Sequence, residues 1–284
     1  MVLLQLVTTS ARRAAEARQA CDDLQHRWAA TSCRTVLLPR ADYVLQRAAK
    51  RTGRPVGQAQ TELDLGSEHL TLTLFDEQAK ANISTLYQRV GAQRTERDIQ
   101  RLGAASATAM GVVLQPTAGG SEDAAAWRFD AWEQVFDRFT PAAMFNGPVR
   151  PTPRPVDVLT CWSDGKLNVR RASSAAIEMV VGDVLTRAEI AKLIDDLAQP
   201  SDRPRTDVWE STQFSDAQRE KLTERLTDKS TTFGLLIRSR DDFQTRYEWN
   251  VLRLDLQAGV ATRQPHEADR VELAHTVHMA WEAQ

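Results

Sequence analysis

The sequence is short of the features that announce an enzyme, a metal protein or a membrane span. Its 284 residues hold three cysteines, Cys21, Cys33 and Cys161, at no metal-ligand spacing and too few for a disulfide framework. Cys21 and Cys33 share one stretch of helical pattern, which sets them roughly 18 Å apart at ~1.5 Å per residue and out of reach of each other. Pairing of either with Cys161 stays open, and buried apolar thiols are the simpler reading. There is no Gly-x-Ser-x-Gly elbow, no Gly-x-Gly-x-x-Gly turn and no P-loop, and no nucleophile, base and orienting group stand together in the pattern. A basic surplus is also missing: 36 Lys and Arg face 38 Asp and Glu, a formal net charge of −2, which argues against a dedicated nucleic-acid surface. No run of ~20 apolar residues could span a bilayer. Met1 to Val7 is an apolar stub without the basic flank or cleavage site of a signal peptide. It reads either as an ordinary buried turn or as the last turns of a membrane helix that begins upstream.

Against these absences, 42% hydrophobic and 26% charged residues are enough for an unstapled core. The length implies one large domain or two closely joined ones. Helical periodicity runs over 10–38, with Ser10 as N-cap and Pro39 as interruption, and again over 41–51 up to the Gly53–Gly57 break. Leu70, Leu72 and Leu74 alternate with threonines, the pattern of a half-buried strand. Helices are expected at 79–90 and 95–108, and at 123–139, where Trp127, Trp132, Val135 and Phe136 recur. Gly147 to Pro155 carries four prolines and reads as a linker, followed by a strand from Val156 to Trp162. Further helices are expected at 172–182, 186–198 and 215–226, capped by Thr186 and Ser215. The tail changes period: Thr231–Arg238, Arg246–Leu256 and Arg270–Trp281 read as an antiparallel meander. Glu272, His275 and His278 have helical zinc spacing, but on a strand the two histidines fall on opposite faces and do not chelate together.

One pattern occurs twice. Asp76-Glu77-x-x-Lys80-x-Asn82-Ile83 follows one strand, and Asp164-Gly165-Lys166-x-Asn168-Val169 follows another. The acidic residue and Gly165 suit a turn, the asparagines suit a cap, and Ile83 and Val169 suit a core anchor, so each element should open a helix. Nothing in either is catalytic.

These elements resemble those of the minor pseudopilin K family of type II secretion. Its Asp-Glu-x-Gly-Lys-x-Asn-x-Asn run is similar to residues 76–84, and its Gly-Lys-x-Asn-x-Asn-Thr-Ala run to residues 165–172. Its Ser-x-x-Phe strand is similar to Ser230-x-x-Phe233. The order agrees over roughly residues 10–255. Ser84 and Arg170 stand where the family has its second asparagines. The family's Asp-Trp-x-Asp-x-Asp stretch, linked to calcium, has no counterpart; Asp130 and Asp137 flank Trp132 on an expected helix, the wrong setting for a calcium loop. Calcium is thus suggested by resemblance alone, no ligand is carried over, and no other cofactor is expected.

The resemblance implies an α+β fold, a long N-terminal helix on an antiparallel sheet with helical insertions of the helix-hairpin-helix or SAM-like kind. The expected divisions are a helix region (1–52), a first strand with a helical insertion (53–145), the proline-rich linker (146–155), and a second helical element with the terminal strands (156–284). It further implies a non-enzymatic subunit at the tip of a pseudopilus, facing the periplasm from a bacterial inner membrane. Other minor pseudopilins and the secretion machinery would be its partners, with a membrane contact through the N-terminal helix if the chain extends upstream. Leu6, Leu24 and Trp28 are the expected assembly face. The rival reading is a helix-hairpin-helix nucleic-acid module, with Lys166, Arg170 and Arg171 as its cations.

Overall fold

The computed structural model describes residues 2–65, 68–118, 127–145, 153–199, 205–211, 213–240, 245–254 and 273–283. Its middle layer is a five-stranded antiparallel sheet: β1 (Gln58–Leu65), β2 (Glu68–Asp76), β3 (Thr232–Arg240), β4 (Thr245–Leu254) and β5 (Leu273–Ala283), in spatial order of the chain. Residues 77–231 form one long insertion between β2 and β3.

Strand alternation splits the core in two, because successive side chains leave a strand on opposite faces. Leu70, Leu72, Leu74, Phe233, Leu235, Ile237 and Leu252 face the N-terminal helices. Phe75, Leu236, Tyr247, Trp249 and Val251 face the insertion. On the first face lie α1 (Val2–Leu37), a 3-10 turn at Leu38–Arg40 and α2 (Ala41–Thr52), which bury Ala29, Ala30, Cys33, Leu38, Ala41 and Leu45. No proline or glycine interrupts residues 2–37, so α1 runs unbroken until Pro39 tightens it, and Gly53 at φ +69 ends α2 in the left-handed conformation. Among the described residues, α1 touches the sheet from Asp23 onward, through Asp23, Gln25 and His26 and the buried residues that follow. Residues 5–22 are exposed on every side, a projecting rod of about 27 Å at ~1.5 Å per residue.

The second face carries α3 (Ile83–Val90), α4 (Ala92–Met110), α5 (Ser174–Val181), α6 (Arg187–Ala198) and α7 (Asp216–Arg225), with Trp132, Phe136, Met144 and Trp209 filling the space between them. Thr186 and Ser215 cap α6 and α7 as expected, each in a capping box.

Several expectations are corrected. Ser10 lies inside α1 and caps nothing. The helix expected at 123–139 is absent where described: Trp127–Arg128 pairs with Thr117–Ala118, and Trp132–Gln134 is a single 3-10 turn. The spacing of Trp132, Val135 and Phe136 imitates a helix because one tight turn also buries all three. Asp130 and Asp137 therefore do not flank Trp132 on a helix. The expected strand 156–162 starts instead as a helical turn, Pro155–Val158, with Pro155 at its first position. Asp157 accepts from Arg154 N and Nε at 3.2 and 2.9 Å to fix it. Leu159–Thr160 alone pairs as strand, parallel to Ala81–Asn82. Strand β1 was not expected at all; it is a polar edge strand with little hydrophobic alternation. Residues 146–152 of the proline-rich linker and Glu272 lie outside the described residues.

Candidate functional site

The two echoed elements meet. β2 ends at Asp76, a 3-10 turn covers Glu77–Ala79, and Asn82 caps α3 by accepting from Thr85 N at 3.0 Å. The Asn82 amide donates to Ser163 O (2.8 Å) and Ser163 Oγ (3.2 Å), at the threshold of the second element. Gly165 sits at φ +94 with Thr85 Oγ1 2.6 Å from where a Cβ would stand. Glycine is needed there twice over, for its backbone and for the close approach of α3.

Beneath this contact lies a knot around Asp76, which is itself 0% exposed. Asp76 Oδ2 accepts from Ser230 Oγ (2.5 Å), Asn168 Nδ2 (3.2 Å) and Arg171 Nη1 (3.2 Å), and Oδ1 accepts from Gln78 N (3.0 Å). Burial pushes the Asp76 carboxyl up from the usual carboxylate range, opposed by the bonds from Ser230 and Arg171. Asn168 Nδ2 also donates to Ser230 Oγ (2.6 Å), and Arg171 Nη2 reaches Asp42 Oδ1 on α2 (2.7 Å). Gln78 Oε1 accepts from Thr231 N and from Thr231 Oγ1. One cluster thereby ties α2, the end of β2, the second element and the entry to β3.

A second knot adjoins it. Glu77, 0% exposed, accepts from Lys80 Nζ and Thr160 Oγ1, both at 2.6 Å. Lys80, 3% exposed, lies 4.1 Å from the centroid of Phe75 and 5.1 Å from that of Trp249. The ammonium thus has one carboxylate and two aromatic faces in place of water. Gly234 of β3 leaves room for the pair, since a Cβ there would stand 2.5 Å from Glu77 Oε1.

The expected motif residues thus separate. Asp76, Glu77, Lys80, Asn168 and Ser230 lie within the knots, and Asn82 lies in the contact above them. Phe233 packs beside them in the core under α1, opposite Asp76 in the register. Asp164 and Lys166 do not join: Asp164 Oδ1 accepts from Lys166 N at 2.9 Å in an exposed turn, and Lys166 Nζ lies 3.4 Å from Thr223 O. Lys166 is therefore no environmental twin of Lys80. Nor does the second element open a helix. Asn168 Oδ1 accepts from Arg170 N in a turn, and α5 begins later under Ser173. Gln78, Thr160, Arg171, Asp42 and Thr231 complete the knots, and Ser163 the contact above them, without having been expected there. Gln78 sat at an unassigned place of the first motif, and the others carried no local signal. Cys33 and Cys161 are buried, Cys21 is exposed, and all three are free; burial raises the Cys161 thiol well above its usual range.

The chemistry available here is fastening. Both oxygens of Asp76 and both of Glu77 are engaged, and neither group meets solvent. Among the described residues, no three His, Cys, Asp or Glu side chains cluster as metal ligands. Two of the three cations of the nucleic-acid reading are paired with carboxylates, Arg171 with Asp42 and Asp76 and Arg170 with Asp228 at 3.4 Å.

No family model and no curated protein matches the sequence. Among solved structures, the chain aligns with a chain of the GspK–GspI–GspJ complex from the type 2 secretion system of enterotoxigenic Escherichia coli. The TM-score is 0.52 at 14% identity, over 95% of this chain and 99% of that one. The chain has a GspK-like fold. At that identity the likeness is one of architecture, and it agrees with the α+β arrangement that the motif resemblance implied. Among the described residues, no helix is long and apolar enough to cross a membrane.

Proposed function

We propose that this chain is a non-enzymatic minor pseudopilin, assembling with other pseudopilins at the tip of a type II secretion pseudopilus and facing the periplasm from a bacterial inner membrane. The observation that carries this reading is α1. A GspK-like fold presents a helix whose residues 5–22 stay exposed. An isolated helix gains little stability from propensity alone, so such a rod calls for partners.

Leu6, Leu24 and Trp28 are 64%, 58% and 68% exposed. At ~3.6 residues per turn, Leu6 and Leu24 are separated by about five full turns and Trp28 lies one turn further on, so the three fall along one side. In this reading they dock on the helices of neighbouring pseudopilins, and the long insertion caps the fibre. The solved GspK-like complex contains two further subunits, and the partners of this chain are accordingly I-type and J-type pseudopilins together with the secretion machinery.

The test is reconstitution. The chain is mixed with the soluble parts of candidate I-type and J-type pseudopilins, and the mass of the product is read by light scattering. A ternary complex that Trp28→Ala weakens by about 2 kcal/mol or more, with an unchanged melting temperature, supports the reading. A folded chain that stays monomeric beside both partners overturns it.

A further inference from the structure

A groove of about 1060 Å3 runs between the first turns of α4 and the corner joining α5 to α6. Met179, Leu185 and Ile190 form its floor, and Arg94, Arg97, Arg101 and Arg187 stand around it. Arg94, Arg97 and Arg101 recur at three- and four-residue intervals, so they share one side of α4 and span about 10 Å along its axis. Arg187 opens α6 from the other wall.

The corner is held in place by the fold itself. Leu185 N donates to Val181 O (3.0 Å), Thr186 caps α6, Arg89 Nη1 donates to Val180 O (3.2 Å) and Arg94 Nη2 to Gly182 O (3.0 Å). The groove is therefore formed before anything enters it, and a ligand need not order it. Its charges do not cancel. Asp98 is shared by Arg94 at 3.9 Å and Arg101 at 3.2 Å, and Glu178 is the second carboxylate of the lining. Arg97 Nε donates to the Gln93 carbonyl at 3.2 Å. Among the described residues, neither Arg97 nor Arg187 is paired with a carboxylate. Four cations against two anions leave a positive groove on a chain whose formal net charge is −2.

We propose that this groove docks a carboxylate-bearing segment of a partner protein. Its acidic side chains meet Arg97 and Arg187, and an apolar side chain lies over Leu185 and Ile190. A guanidinium presents paired donors that match a carboxylate, and an apolar floor beside them favours a peptide over a bare anion. A duplex phosphate backbone fits less well, because Asp98 and Glu178 stand where phosphates would run. The surface is built from α4, α5 and α6, so it stands or falls independently of assembly through α1.

The experiment uses the whole chain and a fluorescein-labelled twelve-residue peptide of glutamate and leucine at helical spacing, read by anisotropy at low salt. Saturable binding that weakens at least tenfold in Arg97→Glu/Arg187→Glu, but not in the exposed-site control Arg51→Glu, supports the proposal. Both arginines are exposed, so the double variant keeps the parent's circular dichroism melt. Equal affinity in the double variant overturns the proposal, as does the absence of binding at millimolar peptide. Tighter, equally arginine-dependent binding of a labelled twelve-base-pair duplex also overturns it, because it would make the groove a nucleic-acid surface.

Discussion

Replacing Lys80 by methionine isolates the buried ion pair from nearly everything else. Methionine keeps the length of the lysine stem and stays compatible with Phe75 and Trp249, so little packing is lost. What disappears is the ammonium 2.6 Å from Glu77 Oε1. The Glu77 carboxylate is then left with Thr160 as its remaining side-chain donor, at a site with no exposure to water. Removing one member of a buried pair costs about 3–5 kcal/mol, because the surviving charge is neither solvated nor compensated. Against a typical total stability of ~5–15 kcal/mol that loss is large. The assay is urea unfolding, with the midpoint and slope fitted separately. The double variant Glu77→Gln/Lys80→Met removes the orphaned charge as well, and should recover at least about 1 kcal/mol relative to Lys80→Met alone. The internal control is Lys166→Met, at the echoed but exposed position, expected to cost less than about 0.5 kcal/mol. A Lys80→Met cost below about 1 kcal/mol at unchanged slope, or a double variant equal to the sum of its parts, would refute the buried pair.

Gly234→Ala puts a Cβ 2.5 Å from Glu77 Oε1 and 3.1 Å from Trp249 Cζ2, and overpacking of this kind costs about 1–3 kcal/mol, readable as a lower melting temperature. Asn250 is fully buried with neither amide atom hydrogen-bonded among the described residues, so Asn250→Leu should raise the urea midpoint by an amount worth about 1 kcal/mol. His26 of α1 lies 3.3 Å from Glu248 on β4 and 3.4 Å from Glu68 on β2, with Asp22, Asp23 and Arg27 beside it on its own helix. Its pKa is raised, chiefly by the Glu248 hydrogen bond. A raised folded-state pKa means that this contribution is fully present below the unfolded value near 6.5 and is lost as pH rises through the folded value. Stability measured across pH 6 to 9 should therefore fall, and His26→Gln should flatten that part of the profile.

Much of the fold was legible because long elements repeat their signal. Thirty-six helical residues without proline or glycine, and the leucines of β2 at every second place, each offered several independent matches to one period. β1 was hidden because an edge strand with both faces largely wet has no alternation to display. Residues 127–136 misled because a single 3-10 turn and a true helix bury the same three spacings. The site divided in the same way. Asp76, Lys80 and Asn82 could be picked out because the chain uses the pattern twice. Arg171 could not be placed, since its partners Asp42 and Asp76 are 129 and 95 residues away in the chain, and only the closed fold says that a cation flanking a turn is spent inward on carboxylates.

The position of the knots also explains why they sit at this turn. An insertion spanning 77–231 leaves the sheet at the end of β2 and returns at the start of β3, where Asp76 and Phe233 are direct neighbours in the register. Closing so long a loop carries an entropic cost that grows only slowly with its length, so its size is tolerable. Its orientation is another matter, because a body joined to a sheet by two adjacent strands is free to swing unless its neck is tied. Ser230 and Thr231 at the exit bond to Asp76 and Gln78 at the entrance, which closes the neck. Arg171 then reaches from the insertion across Asp76 to Asp42 on α2, so the helical unit continuous with the projecting rod is held by the same side chain that holds the insertion. If α1 is built into a fibre and the insertion must face outward from its end, the angle between them has to be carried by contacts that span both faces of the sheet. Arg171 is such a contact, and the buried carboxylate of Asp76 keeps it from rotating away.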